Sequence, residues 1–532
     1  MFALVCTLLL GSFAVMRARR HARPVGARAR RTALLELAKG EPTGANYLLI
    51  GDASVELGDY DGARHAYIHA AAIYRSKNMP SEGYVAERLA QRYEVQVTPY
   101  IHFPVTPGSL TSSTTKLAKF EPVYGCYTGA FIDHEDAIRG TYRDEYGEWR
   151  RDASAFNHLT NVHHAIFFMY LGYGRSFPAK FVRHLNDNGA AAQIAFEPDR
   201  LSSVRDDAYL HRFARQARKS RTPIFLRFAS EMNGDWTPYH RDPALYIEKF
   251  QLVARVMHAE APNVAMVWCP FETPARLIPD YYPGPEAVDW VGINIYSVPF
   301  WDNNPKHPAD WRNPSDSLRN IYRRYADRHP IMICEYGASH RCSLDPSPRD
   351  DFAKTKMTEL YTALPRLYPR IKAVCWLSMN AIKHAIPGHQ NNDYSLLGDD
   401  EVRKQYSRLL LDPYFLPKVS RRAPKCAPQE TVALRDDEVI ARPTSLSAWV
   451  KLYDEHPRVV WRVNGELRQD SSAVGAHRWV LDPATVPDGR ATIDLTVEDE
   501  SGRVVAEEVR HVFCHSASLA AATHSRVMAS AP

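Results

Sequence analysis

Cysteine is sparse, with eight in 532 residues and no C-x-x-C pair, so neither a disulfide scaffold nor a zinc ribbon is indicated. The H-E-x-x-H pattern of zinc peptidases is also absent. No apolar run reaches the ~18 residues that a polytopic membrane protein needs. Acidic and basic residues nearly balance outside one short segment. Residues 1–31 hold seven Arg and no acid, and the rest carries 59 basic against 61 acidic side chains. The overall charge of +5 is therefore local, which argues against a nucleic-acid partner, since such proteins spread basic charge over a folded face. Disorder is excluded by composition, with 45% hydrophobic and 11% aromatic residues. His65 and His69 have the i, i+4 spacing of a metal pair, but that spacing on a polar segment reads as a solvated helix face.

Four kinds of segment follow one another. The apolar stretch Phe2–Met16 precedes the arginines, the reverse of a secretory signal, and reads as an atypical targeting or anchor segment at the bacterial cell envelope, membrane-associated or secreted. Residues 32–97 read as helical. Gly51, Gly58, Tyr60, Ala63, Tyr67 and Ala70 resemble one tetratricopeptide unit, which implies a possible protein partner for this region. A single unit needs flanking helices, expected near 32–40 and 82–94. Prolines 99, 104 and 107 and the Ser/Thr run at 109–115 read as a linker over 98–117.

From about 118 to 416, short apolar runs alternate with amphipathic helices. The expected strands are 123–132, 164–171, 191–197, 222–230, 263–269, 288–296, 330–335 and 371–378. Eight strands with intervening helices predict an α/β fold, the (β/α)8 barrel. After a second basic linker, 426–516 alternates in period two between the turn signals Asn464-Gly465, Asp488-Gly489 and Ser501-Gly502, as in a small Ig-like β-sandwich. The chain thus reads as multidomain, with an all-α region and an all-β sandwich flanking the barrel. Cys426 and Cys514 bracket the sandwich and could pair in an oxidising compartment. Residues 517–532 read as a tail.

In such a barrel, chemistry collects where strands end. The fourth strand closes as Arg227-Phe-Ala-Ser-Glu231-Met-Asn-Gly-Asp-Trp236, and the seventh as Cys334-Glu335-Tyr-Gly. A charged group ending an apolar strand is costly unless paired or used. Two carboxyls facing each other across a barrel mouth suit glycoside hydrolysis, in which one donates a proton and the other attacks the anomeric carbon. Arg227, four residues before Glu231, shares its face by strand periodicity. It either orients a carboxylate or sugar hydroxyl, or forms a structural ion pair. The same periodicity turns Cys334 toward the helix layer when Glu335 points into the mouth. Cys269, Cys334 and Cys375 read as small buried hydrophobes. Tyr170, Tyr173, Trp236, Tyr239, Trp301 and Trp311 fall in strand-to-helix connections, where aromatics can stack on sugars, and the long 297–314 loop forms a cleft wall.

These motifs, with Tyr281-Tyr-Pro-Gly-Pro-Glu-Ala-Val-Asp-Trp-Val-Gly-Ile-Asn-Ile-Tyr296, resemble glycoside hydrolase family 26, best known for β-mannanases. The resemblance covers about 118–415. It implies a retaining endo-glycosidase acting on a mannan-like β-linked polysaccharide. It assigns Glu231 as acid/base, Glu335 as nucleophile and Tyr296 as the tyrosine beside the nucleophile. Trp236 shapes the subsite next to the cleaved bond, and Trp376 is the aromatic floor under the reactive sugar. No metal or organic cofactor is implied. A retaining mechanism calls for carboxyls about 5–5.5 Å apart and a Glu231 pKa raised by burial and by its partner. One departure is Ser230, where the family often has histidine before the acid/base. An alternative from another class is a catalytically weak carbohydrate-binding barrel serving envelope or exopolysaccharide assembly. A third makes the helical region a scaffold.

Overall fold

The computed structural model describes residues 24–104, 117–420, 429–454, 456–471 and 477–515. The apolar N-terminal stretch, the Ser/Thr run at 109–115, Cys426 and hence its pairing with Cys514, and the tail 517–532 lie outside the described residues. The chain divides into two compact units, each described here by itself.

One unit contains the helices and most of the C-terminal strands. Helices α1 (Pro24–Gly40), α2 (Gly44–Glu56), α3 (Tyr60–Ser76) and α4 (Pro80–Arg92) follow one another with short turns. Thr43 caps α2 and Asp59 caps α3 by accepting from backbone N–H groups three residues on. Small residues set the packing: a Cβ on Gly51 would lie 2.3 Å from the Tyr67 ring, so only glycine admits that tyrosine. The flanking helices expected around the central pair are α1 and α4. A five-stranded sheet runs in the order Val439–Ile440, Val504–Cys514, Gly489–Glu498, Arg458–Val463, Glu466–Ser471. Its Asn464-Gly465 turn has positive φ at both residues, 51° and 81°, the geometry that a tight hairpin requires. Tyr60 of α3 meets Tyr453 with ring centroids 3.9 Å apart, and Tyr67 and Tyr93 complete that cluster. The aromatic side of the helices is thus occupied within its own unit, and the packing lends no support to a protein partner there. No described helix is long and apolar enough to cross a membrane.

The beginning of the segment read as a linker lies in a strand. Gln96–Pro104 is a strand, paired antiparallel with Gln429–Ala433 at Tyr100↔Ala433 through Pro104↔Gln429. Its prolines occupy strand positions, Pro104 being the last residue.

The second unit is a closed eight-stranded parallel barrel. Its strands, numbered here for the barrel alone, are β1 (Cys126–Phe131), β2 (Ile166–Gly172), β3 (Ala191–Glu197), β4 (Ile224–Phe228), β5 (Val264–Trp268), β6 (Trp290–Ser297), β7 (Ile331–Ala338) and β8 (Ile371–Leu377). Each neighbour pairs in parallel, and β8 closes on β1 from Ala373↔Tyr127 to Leu377↔Phe131. These strands are buried on both faces, which explains their nearly continuous apolar sequences. Outer helices start on side-chain caps, including Asp152, Asp207, Asp242, Asn313 and Asp399. Phe168, Phe225, Met332, Cys334 and Cys375 fill the barrel interior.

Two local departures from strand regularity shape the mouth. Strand β4 stops at Phe228 rather than running to 230, because Ala229 and Glu231 adopt positive φ (48° and 60°). Strand β7 carries an irregularity between Ile333 and Glu335, so Ile333 pairs with Ile293 while Glu335 pairs with Asn294. One extra residue in the strand lets two neighbours face the same side.

Candidate active site

Glu335, on β7, has both carboxylate oxygens engaged. Oε1 lies 2.5 Å from Nη2 of Arg227 and accepts from the Tyr170 hydroxyl at 2.7 Å, and Oε2 accepts from the Tyr296 hydroxyl. Donors from β2, β4 and β6 thus converge on one side chain, fixing it against rotation. Arg227 is fully buried, and its guanidinium also lies over the rings of Phe168 and Tyr170 at 5.9 and 5.6 Å. The buried Arg227–Glu335 pair fits both readings of Arg227, an arginine that orients a carboxylate and a structural ion pair.

Glu231 follows β4 on the left-handed turn. Asn294 Nδ2 donates to its Oε1 at 2.6 Å, and Trp236 Nε1 donates to its Oε2 at 2.7 Å. Burial, and then the charge of Glu335, push its carboxyl up to about 7, against the pull of Asn294, Trp236 and Arg227. The group therefore sits where it can hold a proton or release one near neutrality. Asn294 also accepts from Arg227 Nη1 at 3.2 Å, so a single amide ties the two carboxyl groups into one network.

The structure brings Glu231, Glu335, Arg227, Trp236 and Tyr296 together. It does not bring Trp376 to the mouth. That indole is fully buried, packs against Tyr336 and Tyr406 at centroid distances of 5.2 and 5.5 Å, and donates to the Tyr394 carbonyl at 2.8 Å. Tyr406 lies on the outer helix Asp400–Leu409, so Trp376 faces the helix layer. Alternation along β8 sends Ala373, Cys375 and Leu377 inward instead.

Cys334 departs from expectation as well. It lies inside the barrel: a Cβ on Gly292 would meet its Sγ at 2.6 Å and the Cβ of Cys269 at 2.7 Å. The β7 irregularity explains this, since it lets Cys334 and Glu335 both point inward. Cys269, Cys334 and Cys375 are buried and form no disulfide.

Three participants were missed or misread from the sequence. Asn294 is a polar residue in the apolar run Trp290–Ser297, a signal that was available. Tyr170 belongs to β2 and binds a carboxylate, although the residue remains 44% exposed. Glu197 is the last residue of β3. It accepts from the Ser230 hydroxyl and backbone N–H and from Tyr239 at 2.6 Å, and burial raises its pKa. Ser230, the residue that differs from the family pattern, is thus committed to Glu197. Trp301 carries the Arg312 guanidinium at 4.6 Å, and Arg312 pairs with the buried Glu272 at 3.1 Å, bracing the wall formed by residues 297–314.

No protein-family model matches the chain. It is similar to endoglucanase H of Acetivibrio thermocellus, 24% identical over 214 residues, which is 36% of this chain and 22% of that protein. It is also similar to a β-1,3-xylanase of a Vibrio species, 24% identical over 123 residues, 21% of this chain and 26% of that protein. The chain therefore spans about a quarter of the length of these curated relatives. Among solved structures, a GH26 β-mannanase from Bacteroides ovatus superposes with a TM-score of 0.38 at 12% identity, over 55% of this chain and 90% of that one. An endo-β-1,4-mannanase from Thermotoga petrophila gives a TM-score of 0.34 at 10% identity, over 74% of this chain and 98% of that one.

Proposed function

We propose that this chain is a retaining endo-glycosidase that hydrolyses a mannan-like β-linked polysaccharide at the barrel mouth. The observation that carries the reading is the division of labour between two linked carboxyls. Glu335 is gripped by three donors, and Glu231 holds a pKa of about 7.

In the first step Glu231 gives its proton to the glycosidic oxygen as Glu335 attacks the anomeric carbon. The C–O bond to the leaving sugar breaks, and an ester bond to Glu335 forms. In the second step Glu231, now ionised, takes a proton from water, whose oxygen attacks the same carbon and releases Glu335. The pKa of Glu231 suits both roles: burial raises it first, and the second cause, the charge of Glu335, is lost in the intermediate. Tyr170, Tyr296 and Arg227 keep the nucleophile aimed. Trp236, 48% exposed and bonded to Glu231, lies where the departing sugar would sit. Polymeric β-glycans of this class are met outside the cytoplasm, so the proposed place of action is the cell envelope or beyond.

The test is reducing-end release by the full chain from β-mannans, β-glucans and xylans, alongside Glu231→Ala and Glu335→Ala. Activity on one polymer, lost in both variants, with azide restoring turnover to Glu231→Ala as a β-glycosyl azide, supports the retaining mechanism. Equal activity of either variant and the parent would refute it.

A further inference from the structure

The turn that carries Glu231 is tied down residue by residue. After Phe228 the chain leaves β4 and passes through positive φ at Ala229 and Glu231, a conformation that residues other than glycine adopt at a cost. Such a turn persists only where its surroundings hold it. The Ala229 N–H donates to the Phe196 carbonyl on β3 at 3.1 Å, and the Glu231 N–H donates to the Cys269 carbonyl just past β5 at 2.8 Å. The Ser230 N–H between them has a side chain for its partner. It donates at 3.1 Å to Oε2 of Glu197, and the Ser230 hydroxyl donates to Oε1 of the same carboxyl. On the other side of that residue, the Ser230 carbonyl lies 2.8 Å from the hydroxyl of the buried Tyr239.

Tyr239 also bears on the protonation state of Glu197. Its hydroxyl lies 2.6 Å from Glu197 Oε2 and 2.8 Å from the Ser230 carbonyl, and it has a single hydrogen to give. Beside an ionised carboxylate both neighbours are acceptors, so one of them goes without. With a proton on Oε2, Glu197 donates to Tyr239, Tyr239 donates to the Ser230 carbonyl, and each contact has its hydrogen. The surroundings favour that form. Burial holds the Glu197 carboxyl above its ordinary pKa, against Arg227 on β4 and the donors of Ser230 and Tyr239. Two phenols sense its charge, Tyr239 and Tyr246 of the helix Pro243–Glu260, and both are pushed up by burial first and by Glu197 next. Glu231 acts on Tyr239 as well, so a second full charge at Glu197 would crowd anions around one hydroxyl.

We propose that Glu197, as a neutral carboxylic acid, is a positioning residue that clamps the left-handed turn and thereby aims Glu231. This rests on the glycosidase reading for what Glu231 is aimed at, whereas the clamp itself does not depend on it. The grip is applied at Ser230, one residue before the acid/base. Releasing it lets that peptide relax and carries the Glu231 carboxyl off Asn294 and Trp236. A misplacement of about 1 Å at a reacting group costs on the order of 100-fold in rate. Neutrality matters for the same reason. A charged Glu197 would add a like charge near the acid, whereas burial and Glu335 already account for the raised pKa of Glu231.

The test uses the full chain with Glu197→Gln, Glu197→Ala and Tyr239→Phe. A glutamine amide reproduces the neutral acid, with an oxygen for Ser230 and an N–H for Tyr239, and alanine removes both. The first readout needs no turnover. Trp236 bonds Glu231, so its fluorescence titration, taken for each variant as the difference from the same protein carrying Glu231→Gln, reports the acid. The midpoint should stay near 7 in Glu197→Gln and fall toward 4.5 in Glu197→Ala as the carboxyl swings toward solvent. The second readout is hydrolysis of the β-mannan, β-glucan or xylan that the parent cleaves. Glu197→Ala should lower kcat about tenfold to 100-fold with KM within about twofold, and Glu197→Gln should restore kcat to within about threefold of the parent. Tyr239→Phe leaves the Ser230 carbonyl open and should move the midpoint the same way by less, which decides the matter if Glu197→Ala does not fold. A midpoint that falls as far with Glu197→Gln as with Glu197→Ala overturns the neutral clamp. A midpoint unmoved in Tyr239→Phe and in whatever Glu197→Ala folds overturns the positioning role, as does a raised KM at unchanged kcat. If the parent cleaves no polymer, the glycosidase reading fails alone, and the titration still judges the clamp.

Discussion

Asn294 donates to Glu231 at 2.6 Å and accepts from Arg227 at 3.2 Å, so it joins the acid/base candidate to the guanidinium that grips Glu335. Its donor stabilises the ionised form of Glu231, and removing it raises that pKa further. The acid must be protonated to work, so activity is lost as pH rises through its pKa. Asn294→Ala should therefore shift the alkaline limb of the kcat/KM profile upward while lowering the maximal rate roughly tenfold through lost positioning. An alkaline limb that stays in place would show that Asn294 does not tune Glu231.

The charge of Glu335 is the second cause of the raised Glu231 pKa. Glu335→Gln removes that charge, so the pKa of Glu231 should fall from about 7 toward its ordinary 4.5. Trp236 reports it, because its indole N–H bonds Glu231 directly. The fluorescence titration of each protein, taken as a difference from the corresponding Glu231→Gln variant, should show the midpoint moving to lower pH.

A raised acid destabilises the fold at high pH. Between 4.5 and about 7 the folded chain keeps a proton that the unfolded chain releases, so stability falls as pH rises through that window. Two and a half units correspond to about 3 kcal/mol at most. Glu231→Gln cannot ionise, and it should be more stable than the parent by on the order of 2–3 kcal/mol near pH 8 and little changed near pH 4. Thermal unfolding at the two pH values checks this.

Trp376 faces the helix layer and makes one buried hydrogen bond, to the Tyr394 carbonyl. Trp376→Phe should cost about 1–3 kcal/mol of stability through the smaller ring and the lost donor, with KM unchanged. A raised KM at unchanged stability would place the ring in the cleft instead.

Much of this was legible in the chain. Residues buried on both faces make near-continuous apolar runs, and each of the eight expected runs coincides with a barrel strand. Glutamates at the ends of two such runs marked Glu231 and Glu335, because an acid there must be paired or used. The same test applied to Ala191–Glu197 would have found Glu197, and the lone amide within Trp290–Ser297 would have found Asn294.

What the local pattern could not supply was direction. A side chain's face alternates with every residue, so one inserted residue inverts everything after it. The irregularity between Ile333 and Glu335 turned both Cys334 and Glu335 inward, and the left-handed turn at Ala229 and Glu231 ended β4 early. Neither is visible in apolar periodicity, because each is imposed by the register of the neighbouring strands and by backbone geometry. The amino-acid sequence by itself determined the barrel, the carboxyls closing its apolar runs and the hairpin turn at Asn464-Gly465, all set by burial and turn chemistry over a few residues. Only the tertiary structure decided that Asn294 and Tyr170 join the site and that Trp376 leaves it, because those relations connect strands and loops far apart in the chain.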